Sequence, residues 1–357
     1  MTKEIEVYED TASQRYIYIL NTHPFAKTED KTQIIRPKSN TSFIFRTRQT
    51  HSIEVAALAE NISRAIKFKY INQLKNVCLL HDIGHPPFGH SGQKLLDKKI
   101  KEYGLKEGFD DNNGNIQIIK NNNIKVSPYE LVSLVKYPSK LYKGQKKEIL
   151  PLLERYLKIE EKEWGKKQRT MACIIMDTAD EISYSLSDFI DGYILGYAKD
   201  KVVGFLNDII EIAEDKKTKK LLSRILKNLL TYKSKNRLRE DVTNLKNHLS
   251  STAFYLKGEE SIFLSSNNGE IVEEFIKFNL YNFIRHEEVK SQITSDLESF
   301  EKYIDYVLGN RTFISNLYGR IYNKKRKTKK RILRVLRDMI ADTTDNYVIN
   351  FVEQNKL

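Results

Sequence analysis

Residues 71–82, INQLKNVCLLHD, set Ile71, Leu74, Val77, Cys78 and His81 on one stripe at helical spacing, with Asp82 directly after. A stripe of this kind needs to be buried. The segment therefore predicts a helix that carries a histidine and a carboxylate into the interior at its C-terminal end. Burying Asp82 costs roughly several kcal/mol unless a cation compensates it. A metal ion is one such cation and an Arg or Lys is another; the dipeptide alone leaves both open. The preceding run, HSIEVAALAENISRAIK from His51 to Lys67, interleaves Ala, Ile, Val and Leu with polar residues and reads as a close-packed helix. Laid antiparallel to the next helix, it brings His51 near His81 and Asp82.

The same reading extends along the chain. Further helices are expected at roughly 128–137, 146–162, 168–195, 201–230, 237–256, 270–284, 287–308 and 329–353. Fifteen Gly and seven Pro are few for 357 residues, and strand signals are sparse. The expected fold class is all-α. The segment 108–125, GFDDNNGNIQIIKNNNIK, is the most turn-rich and polar, and reads as a loop with a short hairpin that covers a site. No internal repeat is visible. Lys and Arg become denser after about residue 200, which suggests a core region over 1–200 and a C-terminal helical region over 201–357 that packs on it and supplies oligomer contacts.

Composition sets the class of protein. Sixty Lys+Arg against 47 Asp+Glu give a net charge of +13, and no long uncharged apolar run is present. A membrane span is thereby excluded from the expectation. The opening residues MTKEIEVYED carry acids and no apolar stretch, so a cytoplasmic protein is expected. Cys78 and Cys173 lie inside apolar helical runs and read as small buried hydrophobes in a reduced compartment.

The chemistry concentrates in one region. Four of seven histidines, at 51, 81, 85 and 90, fall within forty residues, and HDIGHPPFGHSG is irregular, with two prolines and three glycines after the inward-facing pair. A fourth candidate ligand lies on MDTADEISYSLSDFID, where Asp177, Asp180, Tyr184, Asp188 and Asp191 share one face. By pattern alone that face reads as solvated surface, with a ligand-bearing face as the alternative.

The strings RTRQTHSIEVA, LLHDIGHPPFGHSG, KYP at 136–138, ADEISYSLSD and DMIADTTDNY at 338–347 occur in the order and approximate spacing of the HD-domain deoxynucleoside triphosphate triphosphohydrolases, and the chain resembles that dGTPase-like family over nearly its whole length. The resemblance implies an all-helical HD-domain phosphohydrolase fold with added C-terminal helices. It also implies an oligomer, with a hexamer as one such assembly, and hydrolysis of a dNTP, dGTP the first candidate, to a deoxynucleoside and inorganic triphosphate. It marks His51, His81, Asp82 and Asp180 as ligands of one divalent ion per site, and two imidazoles with two carboxylates suit Mn, Mg, Fe, Co or Zn, with Mn or Mg favoured. It marks His90 for acid/base chemistry, with His85 beside the phosphate. Arg48 and Lys136 would face phosphate, and Gln33, Asn115, Tyr137, Tyr184 and Asp188 would line the nucleoside.

Two departures stand out. The family usually has an acid after FGHSG that supports the catalytic histidine, where this chain has Gln93, and a further acid is common where it has Asn113. Gln93 can hydrogen-bond but carries no charge, which leaves His90 without electrostatic support. The run KKRKTKKR at 324–331, followed by Arg334 and Arg337, reads as a solvated helix start, as a contact for single-stranded nucleic acid, or as an interfacial nucleotide site. Two other readings stand beside the dNTP hydrolase: another HD phosphohydrolase, such as a nucleotidase or phosphodiesterase, and a weakly catalytic nucleic-acid-binding regulator.

Overall fold

The chain's helices begin where its hydroxyl and carboxylate side chains can cap them. Thr47 accepts a hydrogen bond from the Thr50 amide and opens α2 (Arg48–Ile66), after α1 (Ala12–Leu20). The structure, a computed structural model, describes residues 8–9, 11–33, 46–231, 234–310 and 328–357. α2 buries Arg48, His51, Val55, Ala59 and Ile62 on one stripe, and α3 (Ile71–Leu80) packs against it. As the periodicity predicts, α3 delivers His81 and Asp82 at its C-terminal end, both buried.

α4 (Gly89–Glu102) follows the HDIGHPPF turn, and α5 (Asp111–Asn121) follows it in the segment that reads as a loop or hairpin. That expectation is corrected. Asp110 caps the α5 N-terminus by accepting from the Asn113 amide, and Ile116, Ile118 and Ile119 are buried. Two of the asparagines that looked like turn formers also tie α5 to other segments, Asn113 to the Lys140 carbonyl and the Tyr142 amide and Asn115 to the Gly84 amide and the His81 carbonyl.

α6 (Pro128–Ser133) and α7 (Lys143–Trp164) lead to α8 (Met171–Ile194), whose N-terminus Thr170 caps. The expected 201–230 helix is two, α9 (Lys199–Ile212) and α10 (Lys216–Thr231), because Asp215 turns its carboxylate onto the Thr218 amide and hydroxyl and starts a new helix. α11 (Lys235–Ser251), the two-residue strands β1 (Ala253–Phe254) and β2 (Phe263–Leu264), α12 (Asn268–Asn279) with a π-turn at Leu280–Ile284, and α13 (Glu287–Gly309) follow. The expected 329–353 helix is also two, α14 (Lys329–Ala341) and α15 (Asp345–Gln354), with Thr344 capping the second. The all-α class holds, and among the described residues no helix is long and apolar enough to cross a membrane.

Among the described residues two large apolar cores form, beside a small cluster of Phe283 and Val289. The larger runs from Ile19 to Phe275 and crosses residue 200 without a break; α8 is central to it, with Ile174, Ile175, Ile182, Leu186 and Phe189 buried. The smaller joins Phe88, Leu96 and Ile100 to Phe300, Tyr303, Leu336, Ile340 and Val348, so the last helices pack on the segment that follows the His-Asp pair. Cys78 and Cys173 are free and buried. Of the basic run, 324–327 lies outside the described residues, and Lys329, Lys330 and Arg331 are exposed. Arg337 is instead buried, paired with Glu107 and stacked 4.4 Å from the Tyr142 ring centroid, and Arg334 also pairs with Glu107.

Candidate active site

Three elements converge on one point. α2 supplies His51, the end of α3 supplies His81 and Asp82, and the middle of α8 supplies Asp180. His51 Nε2 lies 2.9 Å from Asp180 Oδ1, and His81 Nε2 lies 3.8 Å from that oxygen and 3.7 Å from Asp82 Oδ1. Ligand atoms of His51, His81 and Asp180 all lie within 4.8 Å of one another. Asp82 stands beside this group, with Oδ2 2.8 Å from Arg48 Nη1 and Oδ1 3.0 Å from His85 Nε2. The cation that compensates Asp82 is thus at least an arginine.

The imidazoles are oriented from behind. His81 Nδ1 donates to the Cys78 carbonyl at 2.6 Å, which leaves Nε2 as the bare nitrogen. That Nε2 is buried and has no hydrogen-bond partner among the described residues. His51 Nδ1 is 3.2 Å from Ser183 Oγ, which donates to Glu54 at 2.6 Å, and Arg46 and Lys246 hold Glu54. Burial lowers the pKa of His51, with Asp180 opposing. Burial also pulls at His81, but Asp82 and Asp180 outweigh it and raise its pKa. For Asp180 and Asp82 burial is likewise outweighed: His51, His81 and Lys136 hold Asp180 well below the usual carboxylate range, and Arg48, His81 and His85 do so for Asp82.

These groups open into a cavity of about 700 Å³ lined by Gln33, Arg48, His85, His90, Gln93, Lys136, Tyr137, Tyr184 and Asp188 as well as the ligand group. The acidic face of α8, which by pattern reads as solvated surface, lines this cavity instead. Lys136 Nζ sits 2.6 Å from Asp177 and 3.6 Å from Asp180. Burial pushes Asp188 up to about 7, against Arg46 and with Asp191 adding, and burial with Asp177 and Asp180 pushes Glu181 up to about 7. Tyr137 is half exposed at the rim, with Lys140 Nζ 4.4 Å from its ring centroid. Asn115 lies apart: it bonds the Gly84 amide and the His81 carbonyl and so fixes the turn from behind.

Beside His85 stands Asp111, which the sequence reading passed over because it lay in the supposed loop. His85 Nε2 is 3.1 Å from its Oδ2, and Gln93 Nε2 donates to its Oδ1 at 3.1 Å. The lining also includes the apolar Ile276, Leu280, Ile284 and Ile293, together with Asn279. Asn279 donates through Nδ2 to the Ser185 carbonyl at 2.6 Å, while its Oδ1 is buried and without a partner among the described residues. Its only forewarning was its place on the apolar helix 270–284.

The turn between α3 and α4 is held tightly. A Cβ at Gly84 would run into the Asn115 backbone amide, and one at Gly92 into the Pro87 carbonyl. Lys31 donates to the His85 carbonyl at 2.6 Å and to the Ala341 carbonyl at 3.0 Å. Asp345 accepts from the Phe88 amide at 2.9 Å and from the Thr32 amide and hydroxyl.

Residues 48–185 match the HD domain family model. A deoxyguanosinetriphosphate triphosphohydrolase-like protein of Leptospira interrogans is 28% identical over 92% of this chain and 85% of its own length. One of the same name from Wolinella succinogenes is 25% identical over 94% and 92%. Another, from Agrobacterium fabrum, is 33% identical over 50% of this chain and 45% of its own. A solved hypothetical protein from Aquifex aeolicus aligns with 95% of this chain and 67% of its own at 16% identity, with a TM-score of 0.42. Residues 48–185 thus resemble an HD domain, and the chain is similar over most of its length to proteins named deoxyguanosinetriphosphate triphosphohydrolase-like.

Proposed function

We propose that the protein hydrolyses deoxynucleoside triphosphates, dGTP the first candidate, to the deoxynucleoside and inorganic triphosphate. The observation that carries this reading is the lining of the cavity along α8. Asp180, Tyr184 and Asp188 follow at steps of four residues, about 6 Å each along the helix axis. The same cavity is lined by the His/Asp group, Arg48 and Lys136 and by Ile276, Leu280, Ile284 and Ile293, with Asn279 tied to Ser185 beyond Asp180 on α8 and its Oδ1 unpartnered among the described residues. A charged phosphate, a hydroxylated sugar and a flat base match that set of surfaces.

His51, His81 and Asp180, with Asp82 as the fourth donor, would hold a divalent ion, and Mn or Mg suits the set best. The bare, buried His81 Nε2 facing two carboxylates fits such an ion. When bound, the ion polarises a phosphoryl oxygen and lowers the pKa of water. Arg48 and Lys136 counter triphosphate charge. His90 moves the proton between water and leaving group, with His85 beside the phosphate. Tyr184 fills the space a 2′-hydroxyl would take, and Asp188 and Gln33 bond the sugar. Tyr137 closes the rim.

The test incubates purified, metal-loaded protein with each of the four dNTPs and GTP, with and without Mn²⁺, and resolves products by ion exchange. Deoxynucleoside plus intact triphosphate, abolished by Asp180→Ala, is the expected result. Release of monophosphate or single phosphate would assign another phosphohydrolase activity, and no product under any metal would remove the enzyme reading. A homo-oligomer, a cytoplasmic site of action and contact with single-stranded nucleic acid through 324–331 belong to the same proposal, and light scattering, cell fractionation and gel shift test them.

A further inference from the structure

Gln93 stands where the family resemblance implies an acid, yet a carboxylate reaches the same histidine from another helix. His90 Nδ1 lies 3.4 Å from Gln93 Oε1, and Gln93 Nε2 donates to Asp111 Oδ1 at 3.1 Å. Asp111 Oδ1 also accepts from the Asn112 amide and side chain at 2.9 and 3.0 Å, and Oδ2 faces His85 Nε2 at 3.1 Å. Asp111 is buried on the first turn of α5. We propose that Asp111 is the positioning residue for His90, acting through the Gln93 amide.

The reasoning is donor and acceptor arithmetic. An ionised carboxylate only accepts, so the Gln93 NH₂ must face Asp111 and its carbonyl must face His90. That carbonyl then takes the proton on His90 Nδ1, and Nε2 is left as the basic atom. The other Asp111 oxygen is committed as well: His85 Nε2 lies between Asp82 at 3.0 Å and Asp111 at 3.1 Å, so it carries a proton. A proton on that nitrogen also argues against an ion held by His85, His90 and Asp111, although their ligand atoms lie within 4.8 Å of one another. Asparagine could serve one side only. With its oxygen toward Gln93, its NH₂ would meet the His85 N–H; turned over, it would meet the Gln93 NH₂, flip that amide and move the His90 proton to Nε2. Helix α5 is held in place for this task by backbone contact, since a Cβ at Gly114 would come within 2.9 Å of the Gly84 carbonyl oxygen.

The role in turnover rests on the dNTP hydrolysis proposed above, whereas the tautomer does not, so the experiment has two arms. Nitrogen NMR of histidine-labelled protein is expected to show His90 protonated at Nδ1 in the neutral form, shifting toward Nε2 in Asp111→Asn. With dGTP, Asp111→Asn is expected to lower kcat about tenfold or more while KM moves by about twofold or less. The double variant Asp111→Asn/Gln93→Glu places the acid next to His90 directly and is expected to recover kcat to within about threefold of wild type. A packing defect would not be repaired by that second change, and thermal melts of each variant register one independently. An unchanged His90 tautomer, an unchanged kcat in Asp111→Asn, a double variant no better than the single, or a second bound ion lost with Asp111 would each overturn the proposal. No turnover of any dNTP by wild type would sink the substrate reading, and the tautomer arm would still decide the relay.

Discussion

His81 is tuned by backbone: the Cys78 carbonyl takes the Nδ1 proton, and Nε2 faces Asp82 and Asp180 as a bare donor. Loss of Asp180 removes the carboxylate both imidazoles approach, so Asp180→Ala is expected to weaken Mn²⁺ binding by at least about 100-fold, read by metal analysis and calorimetry. Asp188 gives a pH prediction. Its folded pKa is raised to about 7 by burial, against about 3.9 for a free aspartate. The folded chain therefore keeps a proton there that the unfolded chain has lost. Stability contributed by that proton is present below pH ~4 and is lost as pH rises through ~7. The melting temperature of metal-free wild type is expected to fall more steeply between pH 5 and 7 than that of Asp188→Asn. At this scale the sequence was informative about residue types and silent about partners. His51, His81 and Asp180 were named from a resemblance and do converge, but periodicity gave no hint whether the acidic face of α8 met water or a cavity. Asp111 was missed because one carboxylate among asparagines has no signature of its own.

Helix α5 shows why elements are harder to read than residues. Asn and Asp favour turns because their side chains compete for local backbone groups. In 108–125 two of those side chains also reach other segments, Asn113 to the 140–142 segment and Asn115 to the 81–84 turn, while Asp110 turns its carboxylate onto the Asn113 amide and caps the helix. The apolar pattern Ile116 and Ile119 was the contrary signal. The breaks inside 201–230 and 329–353 have a related origin: Asp215 and Thr344 are caps hidden in otherwise periodic runs. The long helices α2, α3, α8 and α13 were legible because their buried stripes are unbroken. Packing of α5 on the His-Asp turn is backbone to backbone, so Gly84→Ala must push α5 away. That substitution is expected to destabilise the fold by about 2 kcal/mol or more, measured by denaturant unfolding, and to disturb Asp111 with it.

On the scale of the molecule, two cores share the site between them. The larger core carries His51, His81 and Asp180 on helices, and the smaller packs Phe88 and α4 against the C-terminal helices. Neither division was visible in composition, because the smaller core joins segments some two hundred residues apart, such as Leu96 and Phe300. An ion bound only by the folded chain stabilises it by mass action. Saturating Mn²⁺ is thus expected to raise the melting temperature of wild type and to leave that of Asp180→Ala unchanged in a thermal-shift titration. The clasp by Lys31 and Asp345 has a different reach. Asp345→Ala is expected to speed amide exchange over 85–90 and to lower turnover while metal binding persists. Asp345 is joined to the chain 257 residues after Phe88, the amide it receives. A ribosome therefore completes His51, His81, Asp82 and Asp180 well before it supplies the carboxylate that steadies the turn between α3 and α4.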